Sequence, residues 1–148
     1  MGYLEDILAN GILQAAAVAW ALAQFMKVLI RLFKEKRLHL GLMFSTGGMP
    51  SSHTAFMVAM TTAVGIREGF GTTAFAIAAA ISMVVMSDAA GVRRAAGKQA
   101  KVINTLVANI ENTGIVLDKK LKELLGHTPV EVAGGAVLGI MVAWVMGR

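Results

Sequence analysis

The chain has 148 residues, 56% of them hydrophobic and only 16% charged, with no cysteine and a formal charge of +5. Its mean hydropathy of +0.66 is high for a soluble domain, and the absence of cysteine excludes disulfides, thiolate metal sites and a cysteine nucleophile. The basic excess lies beside long apolar runs with few aromatics, which fits an anionic membrane surface and argues against nucleic acid.

The length argues for one domain, 1–148. No cleavable signal peptide is expected, because the first residues carry Glu5 and Asp6 and lack a basic region. Residues 7–33 form the first apolar segment, long enough to cross a bilayer with tilt. It contains Gln14, Gln24 and Lys27, which are costly in lipid unless they face protein or a wet cavity. Lys27 reads either as a substrate contact or as a snorkelling side chain. Lys34-Glu35-Lys36-Arg37 ends the segment with charge, and a polar loop containing His39 leads on. No motif surrounds His39, so it reads as a loop residue.

Gly47-Gly48-Met49-Pro50-Ser51-Ser52-His53-Thr54 comes next. Two glycines let the backbone wrap a ligand, Pro50 fixes φ where a helix can begin, and hydroxyls flank a histidine in that first turn. A helix start presents free N–H groups and a positive dipole end, and a histidine there can move protons near neutral pH. The alternative is a plain Gly-Pro turn with a hydroxyl cap. Apolar helices are then predicted over 52–66 and 72–87, both short for a span, with a tight connection at 67–71. A surface-lying amphipathic helix follows over 91–111, and a short lysine-rich one over 117–125. Gly126-His127-Thr128-Pro129 opens the last apolar helix, 128–146, in which Gly134, Gly135 and Gly139 suit close helix contact. The fold class is therefore all-α: a membrane bundle of about four transmembrane helices plus one or two interfacial helices. A soluble domain this small would hardly bury four such segments.

Apart from Lys27 and Arg31 inside the first segment, and Arg67 and Arg148, every lysine and arginine falls just after the first segment or between Asp88 and His127. The positive-inside rule puts those loops in the cytoplasm of a multi-pass inner-membrane protein, with both termini outside. On that topology His53, Asp88, Arg93, Arg94, Lys98 and His127 share one membrane face. Such a set can hold phosphate oxygens, attack phosphorus and protonate a leaving oxygen. His127 and Glu131 are four apart on a helix, so the carboxylate can orient the imidazole. Asp88 reads either as an orienter or as a helix-end salt bridge.

These residues carry a family resemblance. Pro50-Ser51-Ser52-His53 resembles the Pro-Ser-Gly-His motif of the type 2 phosphatidic acid phosphatase superfamily, which includes vanadium haloperoxidases. His127-Thr128-Pro129-Val130-Glu131 resembles its His-x-x-x-Asp motif, with Glu in place of Asp. The longer stretches 47–53, 88–94 and 121–129 are similar to a divergent bacterial and plant branch of that superfamily. The resemblance implies a lipid phosphate or diphosphate phosphatase without metal or other cofactor. His127 would be the nucleophile, Glu131 its orienter, and His53 the acid and then the base. Ser51, Ser52 and the backbone near Gly48 would hold phosphate. The superfamily's first motif, a Lys and an Arg-Pro pair, has no clean counterpart here, which leaves Arg93, Arg94, Lys98 and Lys27 to supply positive charge. The implied partners are the lipid substrate, membrane lipids and, through the glycine faces, a second copy of the chain. An inactive lipid-binding or assembly protein that kept the fold is the rival reading.

Overall fold

The computed structural model describes residues 2–36, 48–111, 121 and 126–147. His39 and most of the lysine-rich segment at 117–125 lie outside these. Among the described residues there are six helices: α1 (Tyr3–Ala9), α2 (Gly11–Glu35), α3 (Ser52–Glu68), α4 (Thr73–Ala90), α5 (Val92–Glu111) and α6 (Pro129–Met146).

Helix starts follow capping chemistry. The apolar run expected to begin at residue 7 is broken at Asn10, whose side chain accepts from Ile12 N (3.0 Å) and Leu13 N (3.2 Å) and so starts a new helix. Ser51 caps α3, and Thr72 caps α4. Thr128 caps α6 in a reciprocal box with Glu131, and Pro129 occupies the first turn, where its missing N–H costs nothing.

Packing centres on α3, which touches α2, α4 and α6, whereas α2 and α4 do not touch each other. Small residues four apart line each inner face. They are Ala15, Ala19 and Ala23 on α2, Ala55, Ala59 and Ala63 on α3, and Gly135, Gly139 and Ala143 on α6, all buried. These rows let the backbones close up: a Cβ added at Gly139 would meet Ala59 N at 2.8 Å. Between α3 and α4 the contact is partly polar. Thr61 and Ser82 hydroxyls lie 2.7 Å apart, and Ser82 Oγ donates to Met57 O at 3.1 Å.

The large apolar side chains point outward instead, Phe25, Ile77, Ile81, Val84, Ile140, Met141 and Trp144 among them. Alanine and glycine inside with large hydrophobes outside is the pattern of a bundle solvated by lipid. Three helical segments among the described residues are long and apolar enough to cross a membrane, within Gly11–Phe33, Thr73–Asn109 and Pro129–Met146. The expected fourth, α3, has 17 residues and so measures about 25 Å, short of the ~30 Å hydrocarbon core.

Candidate active site

At one end of the bundle the three small-residue rows continue into ionisable and polar groups. Four residues beyond Ala23 stands Lys27. Ser51 precedes Ala55 by four, and Glu131 precedes Gly135 by four. The same register that packs the helices therefore turns these three groups inward. Lys27 is 4% exposed, and its Nζ donates to Ser52 Oγ at 3.1 Å. A buried ammonium needs hydrogen bonds and a counter-charge, and Glu131 is its electrostatic partner. Ser51 N donates to Glu131 O at 2.9 Å, tying the start of α3 to the start of α6.

His127 sits just before α6 and is buried. Its N–H donates to Ala89 O at the end of α4 (2.8 Å). Gly126, at φ +88°, lies so close to the start of α5 that a Cβ there would stand 2.7 Å from the carbonyl carbon of Arg93. Glu131 Oε2 accepts from Thr128 N (2.9 Å) and faces His127 Nδ1 at 3.2 Å. A carboxylate can only accept there, so Nδ1 carries the proton and the Nε2 lone pair is left free. Nε2 is buried, with no hydrogen-bond partner among the described residues. Burial pushes the His127 pKa below its usual value. The Glu131 hydrogen bond and charge oppose that shift, and Lys27 and Arg93 add to it. The imidazole is thus neutral near pH 7, the form in which nitrogen is a nucleophile.

His53 occupies the first turn of α3 and is exposed. The ionisable groups near enough to act on it are Arg93, His127, Lys27 and Asp88. Two imidazoles 74 positions apart in the chain thus share one electrostatic environment. Asp88 Oδ2 accepts from Arg93 Nε at 2.6 Å, so its hydrogen-bond partner is the arginine.

The remaining sequence candidates separate. Ser51 is fully buried, and its Oγ accepts from Thr54 N (3.4 Å) and Thr54 Oγ1 (3.0 Å), so its position is that of a cap. Gly48 lies over the stem of Lys27 at φ +96°. Arg93, Arg94 and Lys98 are all exposed, but Arg94 and Lys98 stand about 100° and 140° round α5 from Arg93, at 3.6 residues per turn. Spacing alone had grouped these cations with Arg93. Residues the sequence reading passed over are Thr54, which closes the cap from below, and Thr128, which holds Glu131. The small-residue row ending at Lys27 was the signal that would have assigned that lysine a direction.

Fold and site together define a helical membrane protein with two histidines, a carboxylate and a buried lysine at one end of the bundle. A family profile described as the divergent PAP2 family matches residues 8–142, and the chain belongs to that family. It is 40% identical over 152 residues to the uncharacterized membrane protein YuiD of Bacillus subtilis (strain 168), an alignment covering 95% of this chain and 96% of that one. No solved structure matches it.

Proposed function

We propose that the protein is a phosphatase of lipid phosphates or diphosphates, of phosphatidate or isoprenoid type, acting through a phosphohistidine. The observation that carries this reading is His127 Nε2, buried without a hydrogen-bond partner among the described residues while Glu131 holds the opposite nitrogen. In the first step Nε2 attacks phosphorus, the bond from phosphorus to the bridging oxygen breaks, and the electron pair leaves with that oxygen. His53 gives it a proton. In the second step His53 takes a proton from water, the oxygen attacks phosphorus, and the P–N bond breaks to restore His127.

Lys27, Ser52 and Arg93 are the groups placed to hold the equatorial oxygens, with Asp88 fixing the guanidinium of Arg93. Arg94 and Lys98 have a different role in this reading, binding anionic headgroups from the exposed side of α5. By the distribution of lysine and arginine, the site faces the cytoplasm.

The test is phosphate release from a panel of lipid phosphates and diphosphates by the protein in detergent or vesicles, with His127→Ala and His53→Ala beside it. Release that both substitutions abolish supports the reading. Equal release by all three proteins rejects it, and lipid binding without turnover assigns the chain to the inactive class.

A further inference from the structure

The separation of α2 from α4 leaves a groove over α3 of about 390 Å³, lined by Ala17 and Trp20 of α2, His53, Phe56 and Met57 of α3, and Val85 of α4. We propose that this groove is a binding site for one hydrocarbon chain of the phosphate ester, lying along α3 with its head at His53; the identity of the head rests on the phosphatase reading above. Three observations carry the assignment.

The first is continuity. His53 is the one ionisable residue in the lining, and it is also the residue on which Lys27, Arg93, Asp88 and His127 act. The polar end of the bundle and the apolar groove therefore meet at a single side chain. An amphiphile has the same layout, a charged head joined directly to an apolar tail.

The second is direction. Trp20 and Ala17 precede Lys27 by seven and ten residues on α2, so the groove reaches about 10 to 15 Å from the level of Lys27 toward the middle of the span. A chain seated in it runs with the helices, as bilayer chains do.

The third is chemistry and size. Apart from the His53 imidazole and the Trp20 indole N–H, the side chains lining the walls are apolar, and an ordered water needs two to four polar partners. The volume lies near the low end of the roughly 300–1,000 Å³ found for small-molecule sites, which accommodates one chain. Val84, next to the lining residue Val85, and Ile81, one turn before it on α4, are exposed, so a chain seated here enters sideways from lipid. Because it leaves one apolar medium for another, the groove contributes orientation more than hydrophobic transfer energy: it fixes the ester oxygen beside His53.

The experiment is photolabelling in vesicles with a long-chain alkyl phosphate carrying a diazirine midway along the chain, followed by mass-spectrometric mapping. Labelling should concentrate on Trp20, Phe56 and Met57, persist in His127→Ala, and fall about tenfold or more in Ala17→Trp, whose indole fills the groove. Val85→Phe, which narrows it from the opposite wall, serves as the second variant should Ala17→Trp fail to fold. Labels spread over outward residues away from the groove, such as Ile140, Met141 and Trp144 of α6, and indifferent to both substitutions would overturn the proposal, leaving bulk lipid contact. Groove labelling with no phosphate release from any ester would sink the phosphatase reading and leave the groove assignment standing. Histidine-dependent release without groove labelling would do the reverse.

Discussion

The two ends of this bundle are built on the same helical rows and end differently. At the Arg67 end, Gly11 packs on the guanidinium of Arg67 and Gly65 packs on the ring of Phe70. Phe70 in turn meets Phe75 edge-on, with ring centroids 5.1 Å apart. There the rows close on a guanidinium and on aromatic rings. At the His127 end, the same rows of small residues run into Lys27, Ser51 and Glu131, and the polar groups they place are bonded across helices. The difference teaches how a lipid-solvated protein can hold ionisable groups inside. Close-packed alanine and glycine bring three backbones together, and one further step of four residues on each helix then delivers a charge, a cap or a carboxylate to the same depth.

That contrast can be broken by substitution. The largest expected effect is in His127→Ala, which removes the nucleophile and should lower phosphate release by about 10⁴-fold or more. His53→Ala should cost about 10² to 10⁴-fold, and less with an aryl phosphate, whose leaving oxygen needs no proton; an equal loss on both substrates would remove His53 from the acid role. Lys27→Met keeps the stem and deletes the charge. It should lower kcat/KM by about 10- to 100-fold, from the 1.5–3 kcal/mol of a charged hydrogen bond. Lys98→Met, on the exposed side of α5, should stay within about twofold. A matched loss in both would show that the basic residues act as one diffuse patch, contrary to the geometry.

Packing itself is the next target. A Cβ at Gly135 would press on Ser51 O and stand 3.0 Å from Thr54 Cβ, so Gly135→Val should destabilise the fold by about 1–3 kcal/mol. Gly134→Ala, which meets only Met49 Cε at 3.4 Å and neighbouring side-chain carbons, should be near neutral in thermal unfolding.

The smallest effect is in pH dependence. The His127 pKa is lowered in the fold, so below its unfolded value of about 6.5 the unfolded chain binds more protons than the folded one. The contribution of His127 to stability is therefore full above that value and is lost as pH falls through the window down to the folded-state pKa. Thermal unfolding followed from pH 7 to pH 5 should decline less steeply in His127→Gln than in the unsubstituted protein.

Much of this architecture is legible in the residue order. Hydrophobic runs bounded by hydroxyl caps mark α3, α4 and α6 to within a few residues, because Ser51, Thr72 and Thr128 each begin an apolar stretch. The break at Asn10 was hidden by the continuous apolar composition around it, although Asn before Gly is itself a cap signal. His127 and Glu131 can be paired from their spacing alone. Arg93, Arg94 and Lys98 cannot be sorted that way, since their directions depend on the phase of α5 against the Gly126 backbone, a long-range contact. Ser51 reads as a ligand from its motif, whereas local capping geometry occupies its hydroxyl.

The central claim is that a nitrogen left free by Glu131 becomes bonded to phosphorus. Rapid acid-free quenching of the protein turning over a ³²P-labelled lipid phosphate, followed by peptide mapping under alkaline conditions, tests this directly. The account predicts an acid-labile, hydroxylamine-sensitive label on His127 that is absent in His127→Ala. Phosphate release that continues in His127→Ala, with no label on that residue in the unsubstituted protein, would contradict it.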